Sequence, residues 1–285
     1  MLKFFKSFQN FTTYQRDKAF TDKQYYKFMH KKMNWKSPKT LNEKIQIWKL
    51  SKEMETLWPY ADKLEVRKIV EKRVGSNILN KIYGIWNNVS DIDFGGLPNQ
   101  FVLKTNHGSA MYVIVKDKKT MDVIDIQHKL NYWLNINYYK SYGRERQYKF
   151  IKPKIFAEKY LEDKNGKLLD YKFFCFGGKV AFIHLTIDRF SKNKRKNFYD
   201  MNWKKLPFTL GPLPDSKKKF PKPKNFAKMI EIAEKLSSGL KLARIDLYNV
   251  DGKIYFGEIT LTPGNGMDIF HPLKYDLYYG SLLKL

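Results

Sequence analysis

The segment from Ala243 to Gly266, ARIDLYNVDGKIYFGEITLTPGNG, constrains this chain more than any other. Two β-runs flank Asn249-Val250-Asp251-Gly252-Lys253, so it reads as a hairpin, and the turn decides what the hairpin can do. A two-residue Asp251-Gly252 turn pairs Val250 with Lys253. It sets Asp246 opposite Gly257 and sends Asp246 and Glu258 to opposite faces. A three-residue loop of Val250, Asp251 and Gly252 pairs Asn249 with Lys253, and Asn at the first turn position favours it. The spacing therefore predicts the three-residue loop. In that register Arg244 lies opposite Glu258, Asp246 lies diagonal to it at about 7–8 Å along the backbone, and Thr260 shares the face. Two carboxylates so placed can converge on one hard cation, and magnesium commonly takes one or two carboxylates plus substrate phosphates. Arg244 can meet a phosphate or an anionic intermediate with two parallel N–H bonds. An ordinary sheet face carrying an Arg–Glu pair fits the same spacing.

Other groups suit phosphate or nucleotide. Lys104 ends the apolar run Phe101-Val102-Leu103 before a polar turn, Thr105-Asn106-His107-Gly108-Ser109. Backbone N–H groups at His107, Gly108 and Ser109 can line a phosphate oxygen beside the Lys104 charge. A P-loop is absent, and a plain hairpin turn fits as well. Lys172 sits on the strand Asp170–Phe176, whose alternate residues are apolar, and Arg189 follows Asp188 at the end of the strand joined to it through Gly177-Gly178. Each can face phosphates or solvent. Glu158, beside Ala157 and Tyr160-Leu161, can accept from an adenine amino group while neighbouring backbone pairs the ring edge. Asp91-Ile92-Asp93 is a pair of the kind that binds metal-nucleotide in many glycosyltransferases, and a pattern common by chance. His30, His128, His184 and His271 show no metal-ligand spacing.

Before residue 75 the chain reads as helical, at Lys23–Met33, at Leu41–Leu50 behind a Thr40/Glu43 capping box, and at Ala61–Val70. Beyond it, strands are expected at Phe101–Lys104, Met111–Val115, Ile155–Leu161, Tyr171–Phe176 and Val180–Ile187. Helices are expected at 120–142 and Phe226–Leu240, with 191–224 irregular. The order is α+β, with a helical segment at 1–75, a small subdomain at 76–150 and a C-terminal subdomain at 151–285. With 43% hydrophobic and 16% aromatic residues, 285 residues can bury a sizeable core. The sole cysteine, Cys175, excludes an internal disulfide and reads as a small core residue. No run reaches the ~18–20 apolar residues of a membrane span, and the basic, aromatic N-terminus is too short in apolar length for a signal peptide. The expectation is a cytoplasmic protein, with contact between that N-terminus and an inner membrane face as a weaker one. The net charge of +26 calls for an anionic partner, whether nucleic acid, a membrane face or an acidic polymer. Compositional drift toward scattered lysines accounts for it equally well.

Taken in order, these pieces resemble the ATP-grasp fold and, more narrowly, the TupA-like ATP-grasp family found among genes for bacterial capsular and cell-wall polysaccharides. The resemblance runs from about residue 35 to the end. It is carried by Ala61-Asp62-Lys63-Leu64 with Val66-Arg67, by Phe101 to Ser109, by Asp170-Tyr171-Lys172-Phe173, and by Arg244-Ile245-Asp246-Leu247-Tyr248 with Gly257-Glu258-Ile259-Thr260. It implies two α+β subdomains gripping ATP between antiparallel sheets. Lys104 and Lys172 would meet phosphates beside the His107-Gly108-Ser109 loop, and Glu158, Tyr160 and Leu161 would hold adenine. Asp246 and Glu258 would hold magnesium, with Thr260 where many such enzymes have Asn, and Arg244 and Arg189 would face the transferred phosphoryl group. Ala110 stands where a typical loop has Gly. The implied activity is a carboxylate–amine ligase that forms an acyl phosphate and joins an amine or amino acid to a uronic acid or acidic amino acid of a surface polysaccharide. The basic stretch Lys192–Lys205 is a candidate docking edge for such an acidic glycan, or a solvated loop. No nucleic-acid partner is expected. Two rivals remain, a glycosyltransferase using Asp91 and Asp93 on a nucleotide sugar, and a basic nucleic-acid-binding protein.

Overall fold

The computed structural model describes residues 12–166, 168–187 and 194–285. Among the described residues five helices come first: α1 (Thr13–Met29), α2 (Leu41–Lys49), α3 (Lys52–Thr56), α4 (Trp58–Ala61) and α5 (Val66–Val74). The Thr40 hydroxyl accepts from the Glu43 N–H at 3.2 Å and the Glu43 carboxylate accepts from the Thr40 N–H at 3.1 Å, the capping box expected there. Helix α1 stops short of Met33 because His30 turns left-handed at φ 53. The helix expected over Ala61–Val70 is broken: Asp62 accepts from the N–H groups of Leu64 and Glu65, and α5 begins only at Val66.

Strands β1 (Ile82–Trp86), β2 (Phe101–Thr105), β3 (Tyr112–Val115) and β4 (Ile155–Lys159) form an antiparallel sheet in the order β1-β4-β2-β3. Helix α6 (Val123–Leu134) buries Ile126 and Leu130 in one core with Phe101, Leu103, Val115, Ile155 and Ala157, and α7 (Tyr138–Ser141) follows it. Because β4 pairs with β1 and β2, the chain passes to its second sheet between Lys159 and Asp170 and not at residue 150.

The second sheet joins β5 (Asp170–Phe176), β6 (Lys179–Ile187), β7 (Arg195–Tyr199), β9 (Leu242–Val250) and β10 (Lys253–Thr260) in the order β10-β9-β5-β6-β7. Strands β8 (Thr209–Leu210) and β11 (Phe270–His271) pair separately. Strands β7 and β8 lie within the stretch read from sequence as irregular. The basic Arg195 and Lys196 hide the strand that buries Phe198 and Tyr199. Gly177 and Gly178 carry φ of 54 and 80, the mirror-image turn that matches strand twist.

Alternation gives this sheet two unlike faces. Tyr171, Phe173 and Cys175 of β5 pair with Leu247, Ile245 and Ala243 of β9. They lie beneath α8 (Phe226–Ser237), which buries Phe226, Met229, Ile232, Ala233 and Leu236 at helical spacing. Cys175 is part of this core, and burial pushes its thiol up to about 12. The intervening Asp170, Lys172 and Phe174 pair with Tyr248, Asp246 and Arg244 on the other face. That face is partly covered by α2 and by α9 (Lys274–Leu282), with Phe182 stacked on Phe174 at 4.3 Å and against Tyr279 at 4.5 Å. Among the described residues no helix is long and apolar enough to cross a membrane. The membrane contact expected of the N-terminus falls on residues 1–11, outside the described residues.

Asp276 ties α9 to α2: it is fully buried and accepts from the Asn42 N–H at 3.0 Å. Burial raises its carboxyl to about 6, and the Asn42 bond offsets only part of that. The folded chain therefore holds this proton to a higher pH than the unfolded chain, whose carboxylates titrate near ~4. The stabilisation is full below that value and is lost as pH rises through about 6. Asp276→Asn is expected to flatten the fall in stability between about pH 4 and pH 6, read from urea midpoints. An unchanged slope in the variant would contradict this.

Candidate functional site

The β9–β10 turn has two residues. Lys253 pairs with Val250, Asp251 and Gly252 hold φ of 52 and 100, and the Asn249 side-chain Oδ1 accepts from the Gly252 N–H at 2.9 Å. This corrects the three-residue loop expected from the sequence. By that turn alone Asp246 would face Gly257. Instead the ladder skips from Phe256↔Leu247 to Glu258↔Asp246, so Gly257 is a bulge that returns Glu258 to the face of Asp246. A Cβ at position 257 would lie 3.0 Å from the Asp246 carbonyl oxygen, a tight contact that favours glycine at the bulge. The direct partner of Arg244 is consequently Thr260, and not Glu258 as expected.

A dense charge cluster results. Arg244 Nε donates to Asp246 Oδ1 at 2.7 Å, while Nη2 donates to Asp246 Oδ2 at 2.8 Å and to Glu258 Oε1 at 2.6 Å. Thr260 donates to Glu258 Oε1 at 3.0 Å. Lys172, beside Asp246 on β5, pairs with Asp246 and, at 2.7 Å, with Asp170. Burial raises the Asp246 carboxyl, Arg244 and Lys172 pull it down, and Asp170 and Glu258 push it up again. Burial opposes the charge of Arg244, but Asp246 and then Glu258 raise its pKa and keep it protonated. Among the described residues no three His, Cys, Asp or Glu side chains gather as a metal cluster. Magnesium needs fewer, and the oxygen set of Asp246, Glu258 and Thr260 fits a hard cation that also takes substrate oxygens.

A cavity of about 310 Å³ adjoins this cluster, lined by Lys63, Ser109, Tyr138, Glu145, Tyr148, Glu258 and Thr260 among others. Lys63 is positioned by Asn106, which is buried and donates to Asp62 at 2.9 Å while its carbonyl accepts from the Lys63 N–H at 3.1 Å. The Lys63 ammonium bonds the Gly108 carbonyl. Burial lowers its pKa, and Glu258 partly restores it. Gly108 is pressed against Tyr138, whose ring lies 2.6 Å from where a Cβ would sit. His107 points elsewhere: its ring is buried, with Nε2 3.2 Å from the Trp133 carbonyl oxygen, and burial followed by the Lys63 charge lowers its pKa. Only the backbone of His107 stays at the loop.

A second, mostly apolar cavity of about 60 Å³ lies between the sheets. Val102, Tyr112, Ile114, Tyr160, Leu161 and Tyr248 line it, with Lys104 and Glu158 at its wall. Lys104 and Glu158 are diagonal neighbours on β2 and β4 and form an ion pair. Apolar walls with one acid suit a flat heteroaromatic ring. A third cavity, of about 200 Å³, lies across Arg244 and is lined by Lys172, His184, Lys196 and Asp268 among others.

The fold thus gathers Lys104, Glu158, Tyr160 and Leu161 at one cavity, and Ser109, Arg244, Glu258 and Thr260 at another, with Lys172 and Asp246 joined through Arg244. Arg189 and the start of the Lys192–Lys205 stretch fall outside the described residues. Asp91 and Asp93 sit exposed on a turn and line none of these three cavities. Sequence reasoning assigned no site role to Lys63, Glu145, Tyr148 or His184, and named Lys196 only within the Lys192–Lys205 docking edge. The alternation Phe182, His184, Thr186 was a usable signal for His184, because it sets that residue across from Lys172. Glu145 lies in a stretch without periodicity and gave none.

A sequence model of the TupA-like ATP-grasp family matches residues 43–284. No curated protein matches the chain. Among solved structures, the chain is similar to the D-alanine–D-alanine ligase of Helicobacter pylori at 17% identity, over 79% of this chain and 61% of that one, with a TM-score of 0.43. The D-alanine–D-alanine ligase of Bacillus anthracis complexed with ATP gives 16% identity over 78% of this chain and 61% of that one, with a TM-score of 0.45. The phosphoribosylamine–glycine ligase of Thermotoga maritima gives 13%, 75%, 51% and 0.44 for the same four measures. The chain spans about three fifths of the length of the two D-alanine ligases.

Removing the guanidinium leaves the buried Asp246 carboxylate facing the half-buried Glu258 carboxylate. Arg244→Gln is expected to cost about 3 kcal/mol in urea unfolding. Adding Asp246→Asn should restore at least about 1 kcal/mol of it. A double variant that loses the sum of the two single losses would contradict the cluster.

Proposed function

The chain belongs to the TupA-like ATP-grasp family, and on that premise we propose that it is an ATP- and magnesium-dependent carboxylate–amine ligase working through an acyl phosphate. The observation that carries the reading is the bulged register that sets Asp246 opposite Glu258 with Arg244 bonded to both. In this reading the ring of ATP enters the apolar cavity between Tyr160, Leu161 and Tyr248. Lys104 now pairs with Glu158. A phosphate draws the ammonium away and frees Glu158 to accept from the ring's amino group. Lys172 and Lys63 supply further charge to the phosphates, and Ser109 with its neighbours' backbone closes over them. Asp246 and Glu258, with Thr260 beside them, would hold magnesium, which would supply charge neutralisation for the transferred phosphoryl group.

The substrate carboxylate takes the terminal phosphoryl group, giving an acyl phosphate and ADP. An amine then attacks the acyl carbon and inorganic phosphate leaves. Arg244, bidentate on Asp246, presents its guanidinium between two cavities, where it can orient the carboxylate and the oxyanion formed from it. Glu145 lines the larger cavity, burial raises its carboxyl, and it accepts from Thr262. It is the candidate acceptor for the proton the amine gives up. Tyr138 and Tyr148 wall the same cavity and keep water from the anhydride. We assign the substrate to a uronic acid or acidic amino acid of a surface polysaccharide, acting in the cytoplasm. The net charge of +26 supports an acidic acceptor. The glycosyltransferase reading draws nothing from Asp91 and Asp93, which are exposed and line neither the cavity at Glu258 nor that at Glu158.

Thermal shift separates the readings. Mg-ATP is expected to raise the melting temperature, and the rise should vanish in Asp246→Asn and Glu258→Gln. Stabilisation by a UDP- or GDP-sugar and not by Mg-ATP would sink the ligase.

A further inference from the structure

The third cavity is built by the register of β5, β6 and β7. His184 of β6 pairs with Lys172 of β5, and Thr186 pairs with Lys196 of β7, so alternate side chains bring Lys172, His184 and Lys196 to one face. Lys194 and Arg244 complete its basic wall, and Asp268 is the carboxylate among its described lining residues. Lys196 donates to the Leu210 carbonyl oxygen at 3.2 Å.

These charges act on one another. Burial holds His184 well below the ordinary histidine range, and Lys196, Lys172, Arg244 and Lys194 push it lower, so it faces the cavity neutral. Burial also lowers Lys196, with Asp268 opposing and Lys194, Arg244 and Lys172 adding to the effect. Lys172 and Arg244 are shared with the carboxylates of the metal-binding face, whereas Lys194 and Lys196 lie on the far side of the cavity's wall from them. Like charges gathered at low dielectric raise the energy of the pocket, and an anion placed among them lowers it. The volume of about 200 Å³ corresponds to roughly six waters at ~30 Å³ each, enough for one small organic acid. The larger cavity differs in character. Glu145 and Glu258 balance Lys63 and Arg244 on its lining, and three tyrosines (Tyr60, Tyr138, Tyr148) add rings that suit an ammonium group.

We propose that the cavity between β5, β6, β7 and the Pro263–Phe270 segment binds the carboxylate substrate as a small organic acid. Its carboxylate faces Arg244 and Lys172, and its far polar end meets Lys196 and His184. The acid and the amine then approach Arg244 from opposite sides. This deepens the ligase reading and rests on it for the word substrate.

The test is calorimetric titration of the full chain with D-glucuronate, L-glutamate, D-glucose and inorganic phosphate, each with and without Mg-AMP-PNP. Glucuronate or glutamate should bind where glucose does not. Lys196→Met should weaken that binding about tenfold, the loss of one charge contact worth ~1.4 kcal/mol. Asp268→Asn should tighten it, a change that a damaged fold does not produce. AMP-PNP affinity should be the same in both variants. Acids that bind no better than glucose, acid binding indifferent to both substitutions, or inorganic phosphate binding as tightly as either acid would each overturn the proposal. A chain that binds the acids through Lys196 but does not bind AMP-PNP would overturn the ligase reading and leave the anion cavity standing.

Discussion

Asp246 and Glu258 can serve one cation only if they share a face, and a two-residue turn denies them that. Gly257 restores it. One extra residue in β10 shifts the ladder by one, so that Glu258 meets Asp246 directly and Arg244 spans both. A Cβ at position 257 would press on the Asp246 carbonyl oxygen at 3.0 Å, so the bulge favours glycine. The cost of holding Asp246 and Arg244 largely out of water is offset by their bidentate pairing and by Lys172.

From that hairpin the chemistry spreads along one face of a single sheet. The other face is sealed by α8, which leaves Asp170, Lys172, His184, Lys196 and Arg244 a rigid platform with their backbone fixed by ladder pairing. The four-stranded sheet adds Lys104 and Glu158, and the Asp62–Asn106 contact anchors Lys63 from the helical segment. Two cavities therefore meet at Arg244, one mixed in charge and aromatic and one basic, and a mostly apolar cavity lies beside Lys104 and Glu158. Their different character supports different occupants.

Much of this was legible because it is local. The Thr40/Glu43 capping box, the Gly177-Gly178 turn and the alternation of β5, β6 and β9 each follow from residues within one element. What escaped depends on through-space geometry or on a conflict between local signals. Asn249 was taken to favour a longer loop, yet its side chain caps the shorter one by accepting from Gly252. A glycine inside an alternating strand is a bulge signal, and Gly257 was read only as a spacing mark. Strand β7 was hidden by its basic residues, of which Lys196 lines a cavity while Arg195 is exposed. Glu145 reaches its cavity from a 3₁₀ turn flank, where no periodicity marks it.

The central claim is that one cluster, Asp246, Glu258 and Arg244, holds the metal of a nucleotide lying between the two sheets. A crystal structure grown with AMP-PNP and manganese, read by anomalous scattering, tests it most directly. The account predicts a manganese peak bound by Asp246 and Glu258, with the ring in the cavity of Tyr160, Leu161 and Tyr248 and Lys104 drawn from Glu158 toward phosphate. Manganese at the exposed Asp91 and Asp93, or a nucleotide bound away from the β9–β10 hairpin, would contradict it.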